Sequence, residues 1–287
     1  SGLRRSSLAD GHHRTERRRT GECSAKMNLL RRLIRSRALR LLLVTAFWVG
    51  VWEVVALAVA KPLLLPDPIS VFKRLFALLG TADFYRVTAN SLRNILAGFL
   101  LATVGGALLA ALTSRISLLR ALLQPVMAVV KATPVASFII LAMLWMGTAK
   151  VPSFITALIV LPVVWTNLDI GYKTVDPSLL EMTKAYRFSP WRRFRYLTLP
   201  TLRPYFVSSV RMAIGLAWKA GVAAEILVMP KSSIGTMIGE AKQYLETTSM
   251  FAWTLTVVLL SILIEFAVSA LLKRWQDPEG MAKEVTE

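Results

Sequence analysis

Apolar residues gather into six long runs, at roughly 39–60, 91–113, 122–146, 152–171, 205–229 and 251–272, with polar stretches between them. A helix needs about 20 mostly apolar residues to cross a hydrocarbon core, and these runs reach that length. The pattern predicts an all-α membrane protein of six transmembrane helices. Pro125 and Pro134 fall in the third run and Pro162 in the fourth, each removing a backbone donor, so kinks or interruptions are expected there. Gly98, Gly105 and Gly106 in the second run, and Gly215, Ala217, Ala220 and Gly221 in the fifth, carry little or no side chain. Helices bearing them can approach closely.

Two polar stretches have helical patterns of their own. Pro66-Asp67-Pro68 makes a turn, after which Ile69, Val71, Phe72, Leu75, Phe76 and Leu79 recur at helical spacing with Lys73 and Arg74 opposite. That is the pattern of an amphipathic helix lying in the membrane interface. Between the fourth and fifth runs, residues 176–200 read as two short helices with a turn. Asp176 or Ser178 can cap the first, Pro190 fits the first turn of the second, and Pro200 and Pro204 are expected to end the excursion before the next span.

Charge orients this framework. The chain of 287 residues has 35 Lys and Arg against 17 Asp and Glu, and 12 of the basic residues precede Leu41. Arg115 and Arg120, the block from Lys173 to Arg203, and Lys273 with Arg274 all fall on the side of the N-terminus if there are six crossings. The other side receives Lys61, Lys150, Lys231 and Lys242 beside Asp67, Asp83, Glu240 and Glu246. Basic loops stay in the cytoplasm, so both termini are expected there, in a multi-pass protein of the bacterial cytoplasmic (inner) membrane. Residues 1–26 have no apolar period and are expected to be disordered, Met27 marking a natural start; the membrane domain is 27–275, and 276–287 form a polar tail.

The residue inventory excludes several kinds of chemistry. The only cysteine is Cys23 and the only histidines are His12 and His13, all in the basic tail, so neither a metal site nor a Ser-His or Cys-His nucleophile is expected. No G-x-x-x-x-G-K-[ST] loop is present to cradle nucleotide phosphates. No cofactor is expected, and no basic face with interleaved aromatics points to nucleic acid. The lipid bilayer is the first partner, given a mean hydropathy of +0.53. Glu53, Lys131, Lys219, Glu225 and Glu265 fall inside apolar runs, where charge must face protein, water or another charge. Lys131 and Lys219 are candidates to contact an anionic solute along a translocation path, with Glu53, Glu225 and Glu265 as counter-charges. The alternative is that they snorkel or bridge subunits.

The hairpin carries a further signal. Glu181-Met182-Thr183-Lys184-Ala185-Tyr186-Arg187, followed by Leu197-Thr198-Leu199-Pro200, resembles the cytoplasmic "E-A-A, then G, then I-x-L-P" loop of the permeases of binding-protein-dependent ABC importers. Met182 and Thr183 stand for the two alanines and Arg187 for the glycine. V-D-P-S-L-L-E before the loop, K-A-T-P-V-A-S-F-I-I-L-A-M-L-W-M-G in the third run and G-L-A-W-K-A-G-V-A-A-E in the fifth are similar to the nitrate, sulfonate, taurine and bicarbonate branch, over residues 38–275. The resemblance implies a subunit that is not itself an enzyme, with a coupling helix docked on a separate cytoplasmic ATPase through Glu181, Thr183, Lys184, Ala185, Arg187 and Ser189. It also implies a second permease subunit, a homodimer in the nearest relatives, and an extracytoplasmic binding protein that selects the solute. An ion- or proton-coupled secondary transporter without an ATPase is the competing reading, and a passive anchor for an enzyme complex a third. A rigid hairpin between two spans argues against the first, and interrupted helices with buried charge argue against the second.

Overall fold

The computed structural model describes residues 37–276, so the expectations for residues 1–26 and for the tail from 277 onward lie outside the described residues. The chain divides into two compact units at Pro68 and Ile69. In the first, α1 (Arg37–Val59) is a long apolar helix. It ends where Ala60 turns left-handed, φ 51°, with its N–H on the Ala56 carbonyl. The Trp52 indole donates to the Pro66 carbonyl at 3.2 Å and holds the following turn against the helix.

The described residues of the second unit form helices joined by short turns. It comprises α2 (Pro68–Leu79), α3 (Ala82–Thr113), α4 (Ser117–Ala132), α5 (Val135–Trp145) and α6 (Val151–Lys173), then α7 (Pro177–Ala185) and α8 (Pro190–Arg193). A π-helical turn (Phe194–Thr198) leads into α9 (Leu199–Val228), followed by α10 (Ile234–Gln243) and α11 (Thr247–Gln276). The amphipathic stretch forms α2 as its spacing predicts, with Val71 and Leu75 buried while Ile69 and Phe76 stay exposed.

The core lies where α6 packs against α3 and α9. Small residues make that contact possible. A Cβ on Gly98 would stand 2.2 Å from the Ser153 carbonyl oxygen, and one on Gly221 2.6 Å from Ile95 Cγ1. Ala102, Ala213 and Ala217 are fully buried in the same seam. Tight approach multiplies dispersion contacts, which drive association where lipid offers no hydrophobic gain. Around this core, large apolar side chains point outward, among them Leu100, Leu108, Leu263 and Phe266. Facing hydrocarbon, they need no protein cover.

Four described helices are long and apolar enough to cross a bilayer: α1, α3, α6 and α11. The third expected span is interrupted, as its prolines predict. It breaks between α4 and α5 with a bend of 106° at Thr133-Pro134, and counts as a fifth crossing if the bent pair is one span. Pro134 caps α5, whereas Pro125 and Pro162 are accommodated inside α4 and α6. The run expected at 205–229 begins earlier, at Leu199, because Pro200 and Pro204 do not end the preceding excursion. Pro200 lacks the N–H that would continue the ladder, and the wider turn before it, closed by Leu199 N–H on the Phe194 carbonyl, takes up the mismatch.

Candidate coupling hairpin and translocation face

The hairpin is built by local rules. Asp176, rather than Ser178, caps α7, its carboxylate accepting from the Ser178 N–H at 2.8 Å and the Ser178 hydroxyl at 2.7 Å. The hydroxyl bond, and then the N–H bond, hold the Asp176 carboxyl below the usual carboxylate range. Pro177 and Pro190 occupy first-turn positions of α7 and α8. The far end of α7 closes in a Schellman turn: Phe188 N–H reaches the Thr183 carbonyl at 2.9 Å and Arg187 N–H the Lys184 carbonyl at 3.0 Å. Such a turn needs a left-handed residue, and Arg187 supplies it with φ 47°. The position that the resemblance assigns to glycine is therefore the one where glycine is least strained.

Each loop residue has a defined place. Thr183 is buried, its hydroxyl on the Leu180 carbonyl. Ser189 caps α8 by accepting from Arg192 N–H at 3.3 Å. Glu181, Lys184, Ala185 and Arg187 are exposed. Trp191 stacks on Phe194 with ring centroids 5.9 Å apart, and from Pro190 to Val228 the chain is helical without a loop. Helix α8 thus passes into α9 with no intervening loop, although Pro200 and Pro204 each leave one donor out of the backbone ladder.

The five charges expected along a path are not gathered into one site. Glu225 is fully buried; Ser91 donates to its Oε2 at 2.8 Å and Gly235 N–H at 3.1 Å. Ser91 also accepts from Ile234 N–H, so one carboxylate joins α3, α9 and the start of α10. Glu265 is exposed on α11, accepting from Ser261 at 3.3 Å, and its Oε1 lies where a Cβ on Gly215 would stand, 2.8 Å away. Lys131 donates to Thr166 at 2.6 Å across α4 and α6. Lys219 is exposed on α9 in a strip with Met212, Leu216, Ala223 and Leu227. Glu53 is half-buried on α1, its Oε2 without a hydrogen-bond partner among the described residues. The ion pairs of the described residues include none between these lysines and these glutamates, so the expected counter-charge pairing is not formed within the chain.

The charged cluster that does form was not anticipated. Asp169, buried on α6, bonds Arg120 of α4 and, at 3.2 Å, Lys173 one turn along. Its sequence signal is weak: it lies near the end of an apolar run, where a charge reads as interfacial, though its spacing to Lys173 is that of a helical ion pair.

Residues 89–277 match the family described as "Binding-protein-dependent transport system inner membrane component". The chain belongs to that family: it is a membrane permease subunit of ABC transporters, not an enzyme. It is similar to a probable ABC transporter permease protein of Haemophilus influenzae, 27% identical over 83% of this chain and 97% of the relative. The taurine transport system permease TauC of Escherichia coli is 24% identical over 78% and 83%. A putative aliphatic sulfonates permease, SsuC of Bacillus subtilis, is 25% identical over 82% and 87%. A solved bacterial ABC transporter involved in importing the acidic polysaccharide alginate shares the fold, with a TM-score of 0.61 at 15% identity over 87% of this chain and all of that one.

Proposed function

We propose that this chain forms the translocation path of an ABC importer for a small anion of the nitrate, sulfonate, taurine or bicarbonate kind. An extracytoplasmic binding protein delivers the solute and a separate cytoplasmic ATPase drives the cycle. The chain crosses the membrane six times with both termini in the cytoplasm, α4 with α5 making one broken crossing and α9 another. The exposed α9 strip around Lys219 faces the path or a second copy of the chain. Glu181, Lys184, Ala185 and Arg187 touch the ATPase, while Thr183 and Ser189 hold the hairpin in shape.

The observation that carries this reading is the hairpin itself: two capped helices closed by a Schellman turn and fused to α9. A rigid element joined to two long helices transmits rigid-body motion, whereas a tether would absorb it. Affinity purification of the full chain from its native membrane tests the reading. Stoichiometric recovery of a P-loop ATPase supports it; transport by the chain alone, driven by an ion gradient, overturns it.

A further inference from the structure

Beyond that reading, two cavities in the second unit share a wall and differ in chemistry. The first, about 390 Å³, is walled mainly by apolar groups, with Val104, Ala107 and Leu108 of α3 facing Leu199, Leu202 and Phe206 of α9, and Arg203 its one charged lining residue. The second, about 330 Å³, lies at the end of α3 against the hairpin, where Ser114 and Arg115 meet Arg193 and Thr198. Ala111, Tyr172 and Phe194 line both, so an apolar stem runs into a basic head. Val104, Leu108 and Ala111 follow one another along α3 at spacings of four and three, and Arg115 lies in the turn just past the helix end at Thr113. At 1.5 Å per residue, α3 from Val104 to its end at Thr113 covers about 14 Å, close to half the thickness of a hydrocarbon core and so to one leaflet.

The head is charged and uncompensated. No carboxylate lines it, and neither Arg115 nor Arg193 is in an ion pair among the described residues, the nearby Asp169 being engaged by Arg120 and Lys173. Two guanidinium groups with adjacent hydroxyls suit a phosphodiester, which accepts paired N–H bonds. A zwitterionic headgroup would bring its own cation beside them. We propose that this groove binds one anionic phospholipid, an acyl chain between α3 and α9 and the phosphate between Arg115 and Arg193. The lipid then rests against the root of the hairpin, where it can brace α9 against the coupling motion.

The test uses the full chain purified with its partner subunits. Offered equal amounts of phosphatidylglycerol and phosphatidylcholine, it should retain phosphatidylglycerol preferentially by native mass spectrometry. Arg115→Gln combined with Arg193→Gln should lower that preference by about tenfold. A phosphatidylglycerol with a photoreactive acyl chain should label the unaltered protein in peptides containing residues 104–111 and 199–206, a readout independent of whether the double variant folds. Equal retention of both lipids, labelling confined to other helices, or displacement by inorganic phosphate alone would each overturn the assignment. The result does not depend on transport or ATP turnover, so it can fail while the importer reading stands.

Discussion

Arg187 shows how one side chain can oppose the turn that it occupies. Its left-handed backbone closes the Schellman turn, a conformation that costs a residue with a Cβ roughly 1–2 kcal/mol. Arg187→Gly should therefore leave the hairpin intact and raise its local stability by about 0.5–1 kcal/mol, after the greater freedom of glycine in the unfolded chain is subtracted. Slower proteolysis of residues 181–189 would register the gain. Faster proteolysis would show instead that the side chain makes a contact within the hairpin worth more than the strain, and any weakening of ATPase binding would measure the contact proposed for the guanidinium there. At Glu225 the logic is reversed, because the side chain satisfies its neighbours. Glu225→Ala strips an acceptor from both Ser91 and Gly235, and each buried group left unpaired costs about 1–3 kcal/mol. Glu225→Gln keeps an acceptor oxygen and should be milder, and both are checked by the melting temperature of the purified permease. The run of apolar residues around Glu225 marked it as a charge needing company. It did not reveal the company, since Ser91 is 134 residues away and only the fold brings it near.

At the scale of elements, periodicity located α2, α3, α6 and α11, and capping residues located α7 and α8. A hydrophobic run, however, records only what faces lipid or protein. It says nothing of direction, so residues 122–146 read as one span although the chain turns by 106° at Thr133-Pro134. Proline marks where a helix can end without saying whether it does; a π-helical turn takes up Pro200 and α9 runs on through Pro204, while the helix breaks at Pro134. The Arg120–Asp169 contact fastens α4, the first half of that broken pair, to α6. Reversing either charge alone should destabilise the permease, and Arg120→Asp with Asp169→Arg should recover part of the loss, a coupling of about 0.5–3 kcal/mol. Lys173 tempers the recovery because it would then face a like charge. Additive single effects in thermal unfolding would show that the two groups do not act together.

For the whole molecule, the proposed topology puts Arg115, Arg120 and the hairpin on the cytoplasmic side, in keeping with their positive charge. Cysteines at Gly80 and Ser232 should react with an impermeant thiol reagent from outside, and those at Ser117 and Ser189 only from inside. Labelling of Ser189→Cys from outside would invert the orientation and remove the hairpin from any cytoplasmic ATPase. Glu181 is exposed on α7, so the proposed coupling role rests most directly on it. A charge-assisted hydrogen bond there is worth about 1.5–3 kcal/mol, which corresponds to a roughly ten- to hundredfold loss of affinity when it is removed. The decisive measurement is substrate-dependent ATP turnover by the reconstituted complex with Glu181→Ala, alongside ATPase retention. Normal membrane insertion with weakened ATPase binding and lost stimulation is the predicted result; full stimulation with the ATPase bound as tightly as before would contradict it.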